Sequence, residues 1–448
     1  MAPANPHLSK TECGTVPKSP ASRQAQCAAH FSRRRFITEP ARAGAAIAVA
    51  SKAPYVFARK PIKLRILGTH VTLQEKLRQQ AMKDLGFEII FEPKGSAAVL
   101  QKASMYPESF DLYEQWSNSI NVLWNSSSIK AIQKERITHW SEINPLSKTG
   151  RVTAHAKMGA GDAPHKILHI QNDGSLGTKP SSQVSFLPYV HNVDSFGYNT
   201  AVISKGKAYK TESWGWLLDD QYRGKVAVVN APTIGLFDMA LAAQAQGLMQ
   251  FNDIGNMSEN ELDVLFALLD EKKQQGHFNG FWTSVPESIK FMKSGRVVIE
   301  SMFSPAVSSL NGQNIPVAYA APKEGYRGWH GVMCLSSATT GYQEDAAYDY
   351  MNWWLSGWPG AFIARQGYYI SNAERSRELL SPAEWDYWYA GQAATSALKG
   401  PDGKVSVQPG NTRSGGSYET RFSNVAVWNS VMPSYDYSLQ KWYEFISS

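Results

Sequence analysis

After residue 60, short apolar segments of two different periodicities alternate along the chain, and this alternation constrains the fold more than any other feature. Residues 62–67 have the pattern of a strand, and residues 73–85 carry apolar side chains at near-helical spacing up to a stop at Gly86. Residues 88–92 have the pattern of a second strand. Strand, helix and strand in this order are typical of an α/β unit built on a largely parallel sheet. We therefore predict the α/β class.

The length of the chain predicts two lobes. Of the 448 residues, roughly 390 follow the N-terminal segment, which is more than one hydrophobic core usually supports. Residues 186–204 are apolar at both ends and polar in the middle, as expected of an extended segment that leaves one lobe and enters another. The predicted divisions are the first part of lobe 1 at 54–190, lobe 2 at 191–318, and the return to lobe 1 plus a C-terminal extension at 319–448.

The positive charge of the chain is concentrated at its N-terminus. Of 45 basic and 38 acidic residues, 8 basic and 2 acidic ones precede residue 54, so 37 and 36 remain in the body. Nucleic-acid-binding proteins concentrate basic residues on a folded face, and no such basic stripe follows residue 60. We therefore expect no nucleic-acid partner. No segment has the roughly 18–20 consecutive apolar residues that a membrane-spanning helix needs.

The N-terminal segment resembles a twin-arginine export signal. Ser32 is followed by three arginines, then by Phe36, then by a short apolar segment at 44–50. We therefore predict that residues 1–53 form a signal peptide with an N-terminal extension, read by the twin-arginine export machinery, and that the protein is periplasmic. The alternative is a basic tail that precedes an alanine-rich segment by chance.

The body contains few groups that suggest catalysis or metal binding. Cys334 lies in an apolar run and is expected to be a buried strand residue rather than a nucleophile. His165 and His169 have the i, i+4 spacing of a metal pair, but they lie in a long Gly- and Pro-containing segment at 157–185, for which a lid over a cleft is one hypothesis. No nucleophile elbow, phosphate loop or zinc spacing is present. We therefore expect no enzyme, no cofactor and no metal.

Four stretches of the chain together resemble the extracellular solute-binding proteins of ABC transporters, and most closely their spermidine/putrescine-binding branch. The stretches are LPYVHNVDSFGYNT at 187–200, ESWGWLLDDQYRGKVAVVNAPT at 212–233, EGYRGWHGVMCL at 324–335 and ARQGYYISNAERSRELLS at 364–381. The resemblance implies a type II-like periplasmic-binding-protein fold, in which two α/β lobes joined by extended hinge crossings close on a solute. It also implies a monomer that delivers its solute to a permease and ATPase complex in the inner membrane.

The resemblance also identifies family positions that this chain keeps and others that it has lost. Trp329 and Tyr368 match aromatic positions of the polyamine site, and Phe303 stands where the family has Trp. The family's acidic positions carry other residues, which are the loop 69–72 (Thr, His, Val, Thr), Pro232, Gly235 and Gly331. A dication in a pocket without counter-charges would not recover its desolvation cost.

We therefore predict a cleft lined by aromatic and hydroxyl side chains that binds a neutral or anionic solute with an apolar body. Two loops that precede helices, at 69–70 and 230–233, would present backbone NH groups to an anion. The predicted ligand-binding residues are Thr69, His70, Trp116, Ser117, Thr233, Phe303, Trp329 and Tyr368.

Four alternatives remain open at this point. The first is a polyamine ligand bound by other acids, such as Glu114 or Asp194. The second is ferric iron bound by the adjacent Tyr368 and Tyr369, as in a related branch of the fold. The third is an exported hydrolase or transferase built on the same fold, and the fourth is a sensory protein that reports a solute to a membrane receptor.

Overall fold

The computed structural model describes residues 62–448, and the predicted signal peptide lies outside the described residues. The strands are β1 (Lys63–Gly68), β2 (Glu88–Pro93), β3 (Leu112–Trp116), β4 (Ile129–Lys130), β5 (Ile132–Gln133), β6 (Ala160–Gly161), β7 (His169–Ile170), β8 (Leu176–Gly177), β9 (Gln183–Val184), β10 (Leu187–Asn199), β11 (Val226–Val229), β12 (Phe278–Trp282), β13 (Ile299–Met302), β14 (Val317–Tyr319), β15 (Tyr326–Ser336), β16 (Tyr369–Ile370), β17 (Leu398–Lys399), β18 (Val405–Val407) and β19 (Val425–Trp428). The helices are α1 (Glu75–Leu85), α2 (Ser96–Met105), α3 (Ile120–Asn125), α4 (Pro145–Thr149), α5 (Pro232–Ala245), α6 (Glu259–Gln274), α7 (Val285–Lys293), α8 (Ser304–Gly312), α9 (Tyr342–Trp354), α10 (Trp358–Ala364), α11 (Ala373–Arg377), α12 (Pro382–Trp388), α13 (Tyr418–Phe422) and α14 (Tyr435–Ser447). None of the described helices is long and apolar enough to span a membrane.

Lobe 1 is built on the parallel strands β2, β1 and β3. Helix α1 connects the first two strands and ends at Gly86, whose φ of 76° is the left-handed conformation that glycine adopts most readily at a helix end. Leu64, Ile66 and Leu67 are buried in the core of this lobe. The α/β class and the strand–helix–strand prediction for residues 62–92 are confirmed.

Strand β10 crosses between the lobes, as the apolar–polar–apolar pattern of 186–204 predicts. Residues 187–194 pair with β15 in the sheet of lobe 1, whereas residues 195–199 pair with β13 and β14 of lobe 2. The main path of the sheet therefore runs β12-β11-β13-β10-β15-β3-β1-β2 through both lobes. The two-lobed fold with extended crossings is confirmed.

Lobe 2 repeats the parallel architecture with β12, β11 and β13. Helices α5 and α6 pack against this sheet through a buried core that includes Phe237, Leu241 and Leu265. The chain leaves the lobe through β14, which pairs with β10, and enters lobe 1 again as β15. Cys334 lies in β15 and is fully buried, as predicted.

The segment 157–185 and the C-terminal extension differ in detail from what the sequence predicts. The segment 157–185, predicted to be a long loop, contains β6 to β9, and three of these strands join β5 in a small sheet of order β5-β9-β7-β8. Leu168 and Val184 anchor this sheet in the core of lobe 1. The segment is therefore packed onto the lobe by apolar side chains that periodicity alone does not reveal, because the strands are only two residues long.

The C-terminal extension does not stay with lobe 1. Strands β17 and β18 form the hairpin that the Pro401–Gly403 turn indicates, and β19 pairs in parallel with β15. The last helix, α14, then packs on α5 and α6 of lobe 2, where Trp442 is fully buried. The Nε1 of Trp442 donates a hydrogen bond of 3.0 Å to Oδ1 of Asn230, and its ring meets Phe266 and Phe445. The tail therefore links the two lobes, in addition to β10 and the return from β14 to β15.

Replacement of Trp442 tests this packing. We expect Trp442→Ala to lower the free energy of unfolding by about 3–5 kcal/mol, because a buried indole is removed and a cavity remains. Its neighbour Tyr443 is 50% exposed, so Tyr443→Ala should change stability little. Denaturant unfolding followed by fluorescence measures both, and equal effects of the two variants would contradict the placement of α14.

Candidate functional site

A cavity of about 510 Å³ lies between the lobes, and we call it the interlobe cavity. Lobe 1 contributes the loops that follow β1, β2 and β3, and lobe 2 contributes the ends of β11, β12 and β13. The carboxyl ends of parallel strands are where α/β proteins place ligands. The cavity therefore lies where the architecture of both lobes predicts a binding site.

The structure brings six of the eight predicted ligand-binding residues together in the wall of this cavity. These six are Thr69, His70, Trp116, Phe303, Trp329 and Tyr368. Ser117 is buried in the short turn after β3 and does not line the cavity. Thr233 lies in the first turn of α5 and does not line it either, although its neighbours Ala231 and Ile234 do. No residue of 157–185 lines the cavity, so the lid hypothesis for that segment has no support here.

Aromatic side chains form walls on both lobes. On one side, the ring centroids of Trp116 and Trp329 lie 4.8 Å apart, and those of Trp329 and Tyr368 lie 5.7 Å apart. On the other side, Trp282 and Phe303 meet edge to face at 5.1 Å. Trp282 was missed by the sequence analysis, although its place at the end of an apolar strand directly before a helix start was a usable signal. The cavity can hold an apolar body between two aromatic surfaces.

Five helices begin at the interlobe cavity without a side-chain cap. The residues just before α1, α2, α5, α7 and α8 all line the cavity, and none of their side chains accepts a hydrogen bond from the helix that follows. Helices α11 and α14 begin elsewhere and also lack a side-chain cap, whereas α6 and α12 have complete capping boxes at Ser258 and Ser381, so what is particular to the cavity is that five uncapped starts meet there. The first NH groups of a helix have no partner inside it, and the helix dipole is positive at that end. The five helix starts thus make the cavity a favourable environment for negative charge.

A buried charge cluster forms the floor of the cavity. Asp194 on β10 and Arg327 on β15 are cross-strand partners, with 3.5 Å between the arginine NH2 and the aspartate Oδ2. Arg327 also donates from Nε to Asp238 at 2.7 Å and from NH1 to the Oδ1 of Asn429 at 3.1 Å. All three charged side chains are buried. The single guanidinium therefore offsets at most one of the two negative charges when both carboxylates are ionised.

Asp194 is the acidic residue that the sequence analysis left outside the site. It is the one carboxylate in the described wall of the cavity. Burial raises its pKa to about 6, against the opposing effect of Arg327. Burial also raises the pKa of Asp238. A carboxylate thus reaches the cavity from the crossing strand, and not from the loop 69–72 or from positions 232, 235 and 331.

Glu114 lies behind this wall and not in it. Its carboxylate accepts a hydrogen bond of 3.0 Å from the hydroxyl of Tyr189, and burial raises its pKa to about 7. Since it does not line the interlobe cavity, it is not placed to bind a solute there.

The structure gives no support to a metal centre among residues 62–448, where no three His, Cys, Asp or Glu side chains come together as a metal site would require. Of the adjacent tyrosines, only Tyr368 lines the interlobe cavity. Tyr369 is buried on the other side of its strand, where its ring meets those of Tyr389 and Tyr418. The pair cannot act together on one ion in the cavity.

Comparison with known proteins gives the same family as the four sequence stretches. The sequence model of a family described as bacterial extracellular solute-binding protein matches residues 76–376. No curated protein matches the chain.

Solved structures with this fold include three informative relatives, each of which matches 86% of this chain. A spermidine/putrescine ABC transporter substrate-binding protein from Streptococcus pneumoniae is 15% identical, with 99% of its chain covered and a TM-score of 0.57. A lipoprotein of Treponema pallidum is 11% identical, with 100% covered and a TM-score of 0.61. A periplasmic binding protein from A. tumefaciens R10 in complex with agropinic acid is 12% identical, with 99% covered and a TM-score of 0.53.

The raised pKa of Asp194 predicts a pH dependence of stability. A carboxyl group with a raised pKa in the folded state keeps its proton at pH values at which the same group in the unfolded chain has lost its proton. The contribution of this group to stability is therefore present at low pH and is lost as the pH rises. We expect the unfolding free energy of the protein, relative to that of Asp194→Asn, to fall by about 2–3 kcal/mol between pH 4 and pH 7. Denaturant melts of both proteins across this range measure it.

The exposed Asp436 offers a matched control, because Asp436→Asn removes one carboxylate that is not part of the cluster. This control keeps Asp194, so its stability should show the same fall with pH, relative to Asp194→Asn, as the unmodified protein. A flat or rising difference for Asp194→Asn would contradict the environment described for Asp194.

Proposed function

We propose, on the premise that this chain belongs to the bacterial extracellular solute-binding proteins, that it captures a small organic acid in the interlobe cavity and delivers it to an ABC permease. The acid group lies over the helix starts, and the apolar body lies between the aromatic walls. The single observation that carries the proposal is the set of five uncapped helix starts around the cavity.

The charge balance of the cavity supports an acid over a dication. Asp194 is the one carboxylate in the described wall, and it is already paired with the guanidinium of Arg327. Lys94 also lines the wall, although it pairs with Glu92 at 3.2 Å. A polyamine would leave at least one of its ammonium groups buried without a counter-charge, which is costly. A carboxylate would instead receive backbone NH donors.

The distribution of aromatic residues supports closure around the solute. Trp116, Trp329 and Tyr368 come from lobe 1 and its return strand, whereas Trp282 and Phe303 come from lobe 2. A solute that contacts both surfaces stabilises the closed arrangement of the lobes more than an open one, which is how a ligand biases a two-state hinge.

The known relatives with this fold do not decide between the ligand classes. One is named for spermidine and putrescine, and another holds agropinic acid. At 11–15% identity they establish the fold, so the choice of an acid rests on the side chains and helix starts of this chain.

The proposal includes export by the twin-arginine route, function in the periplasm as a monomer, and binding without catalysis. The paired arginines before Phe36 support the route, and membership of a transport family supports binding. Recovery of an unchanged solute after release from the protein distinguishes this function from that of an exported enzyme.

Replacement of Phe303 tests the location of the site. We expect a panel of small carboxylic acids with apolar bodies to contain members that raise the melting temperature, because a ligand in excess stabilises the folded state. Spermidine and putrescine should not do so. For an active acid, Phe303→Ala should weaken binding in calorimetry by about 10-fold or more, because one aromatic wall is removed.

Phe291 provides the matched control, since it is also a half-buried phenylalanine of lobe 2 but does not line the cavity. Phe291→Ala should bind the acid as the unmodified protein does. Stabilisation by polyamines and by no acid would refute the proposed ligand class, and equal losses in both variants would refute the location.

A further inference from the structure

A second cavity, of about 540 Å³, lies between lobe 2 and the C-terminal extension. Helix α8 and strand β14 form one side, and the segments around α12, β18 and α13 form the other. Hydroxyl, amide and basic side chains line much of it, and no carboxylate does so among the described residues. Its position and its lining separate it from the interlobe cavity, with which it shares no residue.

Arg413 lies in the wall of this second cavity with only 8% of its surface exposed. Its guanidinium donates to the backbone carbonyls of Trp388 at 2.8 Å and Gly367 at 2.5 Å, and it stacks against the rings of Tyr369 and Trp388. It forms no ion pair with any residue in 62–448. Burial lowers the pKa of Arg413, and the nearby charge of Arg421 lowers it further.

Arg421 is the second buried cation of this wall, and it is 1% exposed. It donates to the carbonyls of Ser414 at 2.8 Å and Val193 at 3.2 Å, while its Nε has no hydrogen-bond partner. It too lacks an ion pair within the described part of the chain. The charge of Arg421 lowers the pKa of Asp194, but Asp194 is already paired with Arg327.

Arg327 is a buried guanidinium of this protein that is paired with carboxylates. It is as buried as Arg421, yet it contacts two carboxylates, Asp194 and Asp238. Buried charges in proteins are generally paired, because an unpaired one loses its hydration without compensation. Two guanidinium groups are thus buried in the wall of one cavity that has no carboxylate in its described lining. An anion bound in this cavity would supply the counter-charge that they lack.

We propose that the second cavity binds a small oxyanion, such as phosphate, sulfate or a compact carboxylate, through Arg413 and Arg421. Guanidinium groups bind such anions through forked, charge-assisted hydrogen bonds. Lys205, which is exposed and also lines the cavity, adds a third positive charge at its rim. Bound there, the anion would connect α8 of lobe 2 to the C-terminal extension.

Calorimetry on the full chain tests the site, with inorganic phosphate and sulfate as probes and potassium chloride at matched ionic strength as the reference. We expect saturable binding of at least one of the two anions. Arg413→Gln should weaken this binding by about 10-fold or more, because a buried charge-assisted contact is lost. Lys205→Gln should weaken it by about 3- to 5-fold, since it removes an exposed charge.

Two further variants keep the test independent of folding and of the first cavity. Lys207→Gln makes the same charge change two residues away, at an exposed side chain that does not line the second cavity, and should leave the affinity unchanged. Trp116→Ala, which alters the interlobe cavity on lobe 1, should also leave it unchanged. Absence of saturable anion binding, equal losses in the Lys205 and Lys207 variants, or loss of binding in Trp116→Ala would each overturn the proposal.

Discussion

The antiparallel pairing of β10 with β15 is the constraint on which the rest of the structure depends. These two long strands lie in the middle of the main sheet path, and every strand of lobe 2 reaches lobe 1 through them. Asp194 and Arg327 face each other across this pair, so the same register that joins the lobes also sets the charge at the floor of the interlobe cavity. A shift in register would move both side chains out of place.

The molecule holds two different charge arrangements close to this strand pair. In the interlobe cavity, Arg327 offsets part of the charge of Asp194 and Asp238, and we propose that the uncapped helix starts favour an acid there. In the second cavity, Arg413 and Arg421 have no carboxylate partner among the described residues. Tyr319 lies between the two, since it lines the second cavity while its hydroxyl lies 3.4 Å from Asp194. Under the two proposals, each cavity attracts negative charge, but through different groups.

The sequence predicts local structure and the lobe crossing well, because both follow from periodicity and from one apolar–polar–apolar segment. It also identifies six cavity residues, three of which, Trp329, Tyr368 and Phe303, are assigned through the family resemblance. Trp282 lies at a strand end that the sequence could have indicated, whereas Asp194 could not be placed in this way, because its position depends on how lobe 2 faces lobe 1. The same holds for α14, whose packing on lobe 2 depends on the path that the chain takes after β19.

The pH dependence of solute affinity tests the central claim most directly. If an organic acid binds above Asp194, protonation of that carboxyl near pH 6 removes a repulsive charge, so the acid should bind more tightly as the pH falls from 7.5 to 5.5. Calorimetry should show this tightening in the unmodified protein and a nearly flat profile in Asp194→Asn. Tighter binding as the pH rises, lost in the same variant, would show that the cavity selects a cation and would contradict the account.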